Sequence, residues 1–393
     1  NFFLAKGEWE HAISAALNYR TAVSYVRDNP RYSDSTIDAE GEMEPVVSVH
    51  SPSEISTGET QVNYSWHDLA LTSVGLEYQE QWAEISKQQS DPEDPEGQSE
   101  VEDNRGNRSI VSLYGQEQLR LLNDAVNAVG GVRYDHYDDF GNQVTFSGSS
   151  AYLVRPTQTR FRISYAQGFR APTFDELFGA LGNPNLQPET SWEIDSGLTQ
   201  ELFRARLHIE STYFYREVHN LIEEITDELP PVAGVPENEG TQNIASARIQ
   251  GVELITGLRP TQWLTLTGNY MYLNYDSSAA PLVNRPRHRG SFIATVRRSN
   301  LFTATDQGVV TMLAYFVGWR DSPNPFDATA PFSPAPTGSY GRVDVALAYH
   351  LGGRFAPLAV TATVRNLFDR DYAASIGFPA PPVNFVAGLR YGF

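Results

Sequence analysis

With 8 His, 0 Cys and 48 Asp plus Glu, this 393-residue chain has a short list of chemistries open to it. Without Cys there is no thiolate nucleophile, no disulfide framework and no Cys-based zinc or iron–sulfur site. The histidines are scattered, with no pair at ligand spacing, so each reads as a polar group and no metal site is expected. The densest acidic stretch, Asp91-Pro92-Glu93-Asp94-Pro95-Glu96 continuing to Glu100, Glu102 and Asp103, has oxygen ligands enough for calcium but lacks the spacing of a calcium loop; it reads as a solvated acidic loop. There is no Gly-x-Ser-x-Gly and no Ser, His and acid cluster, which argues against a hydrolase. Asp139-Phe140-Gly141 copies a phosphotransfer triplet without its companions and falls in a hairpin turn. No catalytic residue and no cofactor is expected. What remains is recognition. Phe169, Arg170, Phe174, Phe178, Asn183, Asn185, Trp319 and Tyr372 fall in or beside connecting segments, and pockets for large ligands are lined by such aromatic groups with a few polar ones.

The elements that position these residues are strands. From Val383 to Phe393 the chain puts Phe385, Ala387, Leu389, Tyr391 and Phe393 on one face and Asn384, Val386, Gly388, Arg390 and Gly392 on the other. Similar stretches recur at roughly ten residues, the length a tilted strand needs to cross a bilayer's hydrocarbon layer. The apolar runs are far shorter than the roughly 20 residues of a membrane helix, so any span must be made of strands. Twenty Tyr and 20 Phe suit the two interfacial girdles of such a wall. A mean hydropathy of -0.38 fits strands with one apolar and one polar face. The net charge of -19 argues against nucleic acid, whose phosphates need clustered Lys and Arg.

Counting such stretches gives about 16 strands, the first at His11 to Arg27 and the next at Gln61 to Trp66 and Leu69 to Ile85. The links are sorted by length. Long ones at 368–382, 320–339, 276–286, 220–241, 168–189, 88–108 and 28–60 alternate with short ones such as Gly352-Gly353-Arg354, Arg259-Pro260-Thr261 and Phe203-Arg204. Only Asp138 to Gln143 is short where the alternation wants a long loop, and Asn300 to Gln307 is somewhat long where it wants a short one. Outer-membrane barrels sort their loops this way, with short periplasmic turns and long outer loops, and the count then places both chain ends in the periplasm. Strand faces agree: Phe161, Ile163 and Tyr165 oppose Arg160, Arg162 and Ser164, a charged face that suits a wet lumen and not a dry core. The expected fold class is all-β, a transmembrane antiparallel up-and-down β-barrel over residues 1–393.

Several motifs come as a set. Tyr165-Ala166-Gln167-Gly168-Phe169-Arg170-Ala171-Pro172-Thr173 is followed by Gly182-Asn183-Pro184-Asn185-Leu186-Gln187-Pro188-Glu189-Thr190, then by Asn243 to Glu253 with Gly251, and by Arg285-Pro286-Arg287-His288-Arg289. Arg365-Asn366-Leu367-Phe368-Asp369-Arg370-Asp371-Tyr372 and the terminal Gly388 to Phe393 complete it. In type, order and spacing the set resembles TonB-dependent outer-membrane receptors, in particular receptors for cobalamin and siderophores. The resemblance implies a barrel of about 22 strands with an N-terminal plug in its lumen, of which this chain would be the later part, with about six strands, the plug and the segment that contacts TonB lying outside it. A complete smaller barrel of about 16 strands, the porin number, is the alternative reading. The opening Asn1-Phe2-Phe3-Leu4 has neither an initiator Met nor the charged and apolar regions of a signal peptide, so a mature or truncated product is expected.

The resemblance also implies function: energy-coupled uptake of a large scarce nutrient across the Gram-negative outer membrane, the nutrient being a ferric siderophore or cobalamin. Haem receptors of the family carry a His between the two boxes, and Thr173 to Gly182 holds none, which sets haem lower. Implied partners are outer-membrane lipid and lipopolysaccharide, the TonB complex through the absent N-terminal part, and the barrel-assembly machinery through Phe393. Pro172, Pro184 and Pro188 would stiffen the outer loop, Asn183 and Asn185 would turn it, and Glu189 would pair with Arg170 across the strand ends. Phe169, Phe174 and Phe178 would line an outer vestibule; girdle anchoring is the competing reading for Trp319 and Tyr372. A passive porin and an outer-membrane hydrolase are the competing functions, the second without a nucleophile motif.

Overall fold

The computed structural model describes residues 2–37, 43–89, 100–179, 181–225, 240–277, 284–323 and 334–392. Its strands are β1 (Phe2–Ala12), β2 (Leu17–Asp28), β3 (Arg31–Ile37), β4 (Met43–His50), β5 (Ser53–Trp66), β6 (Ala70–Gln89), β7 (Glu100–Leu121), β8 (Val126–Tyr137), β9 (Gly141–Val154) and β10 (Thr159–Arg170). One short helix, α1 (Phe174–Phe178), precedes β11 (Glu189–Leu202), β12 (Leu207–Ile225), β13 (Gly240–Thr261), β14 (Leu264–Ser277), β15 (His288–Ser299) and β16 (Gln307–Val317). The chain ends with β17 (Arg320–Pro323), β18 (Pro334–Thr337), β19 (Tyr340–His350), β20 (Leu358–Arg365), β21 (Ala373–Ser375), β22 (Phe378–Pro379) and β23 (Asn384–Tyr391). No helix is long and apolar enough to cross a membrane.

Nineteen of these strands form one antiparallel sheet in which each wall strand pairs with the next along the chain. The order skips three hairpins. β2 pairs directly with β5, β16 with β19 and β20 with β23, so β3–β4, β17–β18 and β21–β22 are excursions at the long-loop end. Only β3–β4 rejoins the sheet, through β4 against the end of β6. Among the described residues β1 pairs only with β2 and β23 only with β20, so the wall has two free edges, apart from the β3 side of the β3–β4 excursion.

The register carries the period-two reading around the sheet. On one face lie Leu76, Leu113, Phe146, Ile163, Phe292 and Leu347, all exposed. An apolar surface of that extent is an aggregation liability in water and a lipid-facing surface in a bilayer. Aromatic rings band it at both ends. Trp9 packs on Tyr19 and Tyr64 on Trp66 beside the short turns, while Tyr165, Trp192 and Tyr215 form a row nearer the long loops. The other face holds paired charges: Lys6, Glu8, Arg20 and Glu59; Glu77, Arg133 and Asp135; Arg162 with Glu210; Arg216 with Glu193. Gly251, one of the motif residues, is needed for packing on this face, since a Cβ there would meet the Phe214 ring at 2.6 Å and the Tyr272 carbonyl oxygen more closely still.

Three parts of the sequence reading change, the first being the 88–108 loop: its residues 100–108, with Glu100, Glu102 and Asp103 of the acidic stretch, are the start of β7 paired with β6. The first predicted strand, His11 to Arg27, is two: β1 and β2 meet at residues 13–16, and Phe2 pairs with Asp28. Ile13-Ser14-Ala15-Ala16 has no Gly, Pro or Asn to mark a turn; Ser14 makes it instead, its Oγ accepting from Ala16 N at 3.2 Å and Leu17 N at 3.1 Å. With this extra strand the chain starts at the long-loop end, not the short-turn end. The predicted 28–60 loop contains the β3–β4 hairpin and the first half of β5.

The long short-side link, residues 300–306, is organised around Asp306. Its buried carboxylate accepts from Leu301 N, Phe302 N, Thr303 N and the Tyr349 hydroxyl. Burial pushes that carboxyl up, but the Tyr349 and backbone hydrogen bonds outweigh it and hold it below the usual carboxylate range.

Gly251→Ala in the intact protein should lower unfolding stability by about 1–3 kcal/mol in a denaturant titration. The same change at Gly58, where a Cβ meets nothing within 4 Å, should move it by less than about 0.5 kcal/mol.

Candidate functional site at the long-loop end

The loop between β10 and β11, residues 171–188, carries both boxes. Its helix α1 starts at a reciprocal cap: Thr173 Oγ1 accepts from Glu176 N at 3.1 Å, and the Glu176 carboxylate accepts from Thr173 N at 2.7 Å. Arg170, the last residue of β10, donates to both Glu176 oxygens at 2.9 Å and to both Glu189 oxygens at 2.8 and 2.7 Å. Glu189 is the cross-strand partner of Arg170, so the pair anticipated from sequence is present, and it is extended by Glu176. Glu189 also accepts from Ile222 N at 2.9 Å, which brings in β12, and Ile222 packs with Leu177 and Leu186 in a small buried cluster. Burial raises the Glu176 carboxyl, yet Arg170 and the Thr173 bonds outweigh it and hold it below its ordinary range.

Asn183 spends its side chain on holding this loop, to itself and to β13, and Asn185 contributes only its backbone N–H. Asn183 donates from Nδ2 to Thr241 O at 3.0 Å and accepts from Asn185 N at 2.9 Å, while its own N–H reaches Glu176 O at 2.8 Å. Asn243, inside the third motif, clamps the far side of the second box by accepting from Gln187 N and donating to the carbonyls of Gln187 and Asn220. Leu186 and Pro188 are buried, and Pro184 and Asn185 are exposed.

A residue that sequence reading missed holds the other side. Arg108 of β7 is 4% exposed; it donates to Asp139 at 2.6 Å and to the Pro172 carbonyl at 2.9 Å. Its guanidinium carbon lies 5.9, 5.3 and 5.1 Å from the rings of Tyr137, Phe140 and Phe174. Phe169 meets Tyr137 edge-on at 5.6 Å, and Phe174 and Phe178 lie parallel at 6.5 Å. Of the three predicted vestibule rings, Phe178 is the most open to solvent.

Tyr372 belongs to a second cluster. It stacks on Tyr340 at 4.3 Å and accepts from Arg342 at 3.1 Å; Arg342 pairs with Asp344, and Tyr340 meets Tyr315 with hydroxyls 3.0 Å apart. Trp319 is half exposed and makes no ring contact among the described residues. Asn366 is 2% exposed and ties the last long loop together, bonding Arg370 N, Arg370 O and Pro381 O, whereas Phe368 is exposed. Glu253 and the Arg162, Glu193, Glu210 and Arg216 charges border a polar recess of about 530 Å³ on the charged face. Phe393 and the acidic stretch from Asp91 to Glu96 lie outside the described residues.

A family model described as "TonB dependent receptor-like, beta-barrel" matches residues 2–367. The chain belongs to the TonB-dependent receptor β-barrel family. The wall is therefore that of a Gram-negative outer-membrane barrel, with its apolar face toward lipid, its charged face toward the lumen and its long loops outside. The chain is 26% identical to heme/hemopexin utilization protein C of Haemophilus influenzae over 71% of this chain and 42% of that protein. It is also 26% identical to the vitamin B12 transporter BtuB of Photobacterium profundum over 88% of this chain and 52% of that protein. The chain thus spans about half the length of these curated relatives. The ferric-catecholate import receptor Fiu of E. coli K12 shares the fold, with a TM-score of 0.71 at 16% identity, covering 99% of this chain and 64% of that one.

Arg170→Ala should raise amide exchange across residues 171–188 by about tenfold or more, the scale of a lost charge-assisted hydrogen bond. Because the folded Glu176 carboxyl sits below its unfolded value of ~4.3, its contribution is full above that pH and lost as pH falls through the lower folded value. Exchange in this loop should stay slow from neutral pH down to about 4 and rise only below it, after correction for intrinsic rates.

Proposed function

We propose that the intact protein is an energy-coupled outer-membrane importer of a large scarce nutrient, cobalamin or a ferric siderophore, and that this chain supplies the later part of its barrel. Family membership over residues 2–367 carries the reading. The lumen face supports it: charges in matched pairs make a wettable passage without a field of one sign. The ligand docks among the outer loops, where Phe178, Trp319 and Phe368 are exposed, and Phe169, Phe174, Arg170 and Tyr372 shape the wall beneath. Asn183 acts by holding the loop, and the exposed Asn185 side chain is presented to the ligand. The remainder of the protein brings a plug, a TonB-contacting segment and the strands that close the wall between β1 and β23. Outer-membrane lipid and lipopolysaccharide surround the apolar face, and the barrel-assembly machinery receives the C-terminal Phe393. No step needs a catalytic residue.

Between the two relatives' named nutrients, cobalamin is favoured over haem. The interval Thr173 to Gly182 contains no His, and imidazole is a common ligand for haem iron. Purified intact protein titrated with cobalamin, haem and a panel of ferric siderophores should bind one class at submicromolar concentration, with uptake lost in cells lacking TonB. Binding to none, with ohmic conductance from a protein lacking a plug, would replace this reading with a passive channel.

A further inference from the structure

Buried polar atoms are expected to be paired, and here the exceptions cluster. Among the described residues the unpaired buried side-chain atoms are Ser277 Oγ, Arg320 Nη1, Ser322 Oγ, Thr337 Oγ1 and Arg342 Nε. Three of these belong to the β17–β18 hairpin. Arg320 and Thr337 are direct cross-strand partners, and Ser322, two residues along from Arg320, falls on the same side of the ribbon. A guanidinium N–H and two hydroxyls therefore share one face, and all three residues are more than nine-tenths buried.

Among the described residues, no negative charge faces that side of the ribbon. Arg320 lies over the Tyr340 ring at 5.6 Å, and its Nη2 is taken by the carbonyls of Ala373 and Ala374. Asp321, the neighbouring acid, alternates to the opposite side of the ribbon. Asp344 is occupied by Arg342 and by Asn366 N. Among the described residues no ion pair is made by Arg320. A buried cation with a free N–H, flanked by two hydroxyls and floored by an aromatic ring, matches a carboxylate or phosphate: Arg320 Nη1 donates to the oxyanion, and each hydroxyl can donate to it as well.

We infer that the face formed by Arg320, Ser322 and Thr337 is an oxyanion site at the outer mouth, taking a carboxylate or phosphate group carried by the imported ligand. The ligand assignment rests on the importer reading; the anion chemistry does not. Tyr340 and its register partner Val317 lie at the outer ends of the lumen-facing rows, which sets the site inside the wall and away from lipid phosphate. Arg320 already joins two outer loops through the Ala373 and Ala374 carbonyls, so the site sits where those loops meet.

The test uses the intact protein in detergent, titrated calorimetrically with inorganic phosphate and with acetate at constant ionic strength. Saturable binding is expected for the natural sequence, weakened about tenfold or more in Ser322→Ala/Thr337→Val, which keeps Arg320 and its carbonyl bonds. Arg320→Gln should abolish it. No saturable binding, or equal binding by the double variant, would overturn the proposal. Purified lipopolysaccharide should not compete with phosphate; competition would assign the site to lipid and overturn the ligand-facing role. If the nutrient panel fails while phosphate binds with this variant pattern, the importer reading falls and the anion site stands.

Discussion

A strand in a membrane has no water to satisfy its backbone, so every N–H and C=O must find another strand. The rest of this structure follows from that demand. The ladder passes without a break from β1 to β23, and each strand inside it has a neighbour on either side. Strands so long and continuous expose both faces along their whole length, and period two then sorts side chains into a lipid set and a lumen set. The ladder's two free ends are the points where the demand is unmet by this chain. Under the importer proposal, the remaining wall of the larger protein joins at those two ends.

The lumen face must be polar without being a one-sign barrier, and opposite charges across neighbouring strands achieve this. The same device, concentrated at the outer end, fixes the loops. Arg170 holds Glu176 and Glu189, and Arg108 holds Asp139 and the Pro172 carbonyl. Two arginines from different strands thereby fasten the box loop on opposite sides. Much of what looks like a recognition motif is spent on this fastening, which leaves recognition to groups that the loop displays, such as Phe178, and to sites built by the other outer loops.

The alternation of faces and the sorting of links by length were both legible in the sequence, because period two and the distinction between turn and loop depend on local residue choice. The Arg170–Glu189 pair was legible because both sit at strand ends flanking one loop. Thr173 and Glu176 carry the spacing of a helix cap and could have been read the same way. Arg108 could not: a single charge in a long strand gives no sign that Asp139, Pro172 and three rings will converge on it from distant parts of the chain. β1 was hidden by a turn built from Ser14 without Gly, Pro or Asn. Trp319 and Tyr372 were grouped by residue type, and only Tyr372 joins a ring cluster.

The central claim is that one face of this wall meets water and the other meets lipid, residue by residue. The chain has 0 Cys, so single cysteines placed in turn at Phe161, Arg162, Ile163, Ser164 and Tyr165 of the intact protein report without background from this chain. Reaction with a charged, membrane-impermeant thiol reagent should occur at 162 and 164, while a lipid-phase probe should label 161, 163 and 165. Uniform water accessibility at all five positions, or the opposite alternation, would contradict a barrel wall with these two faces.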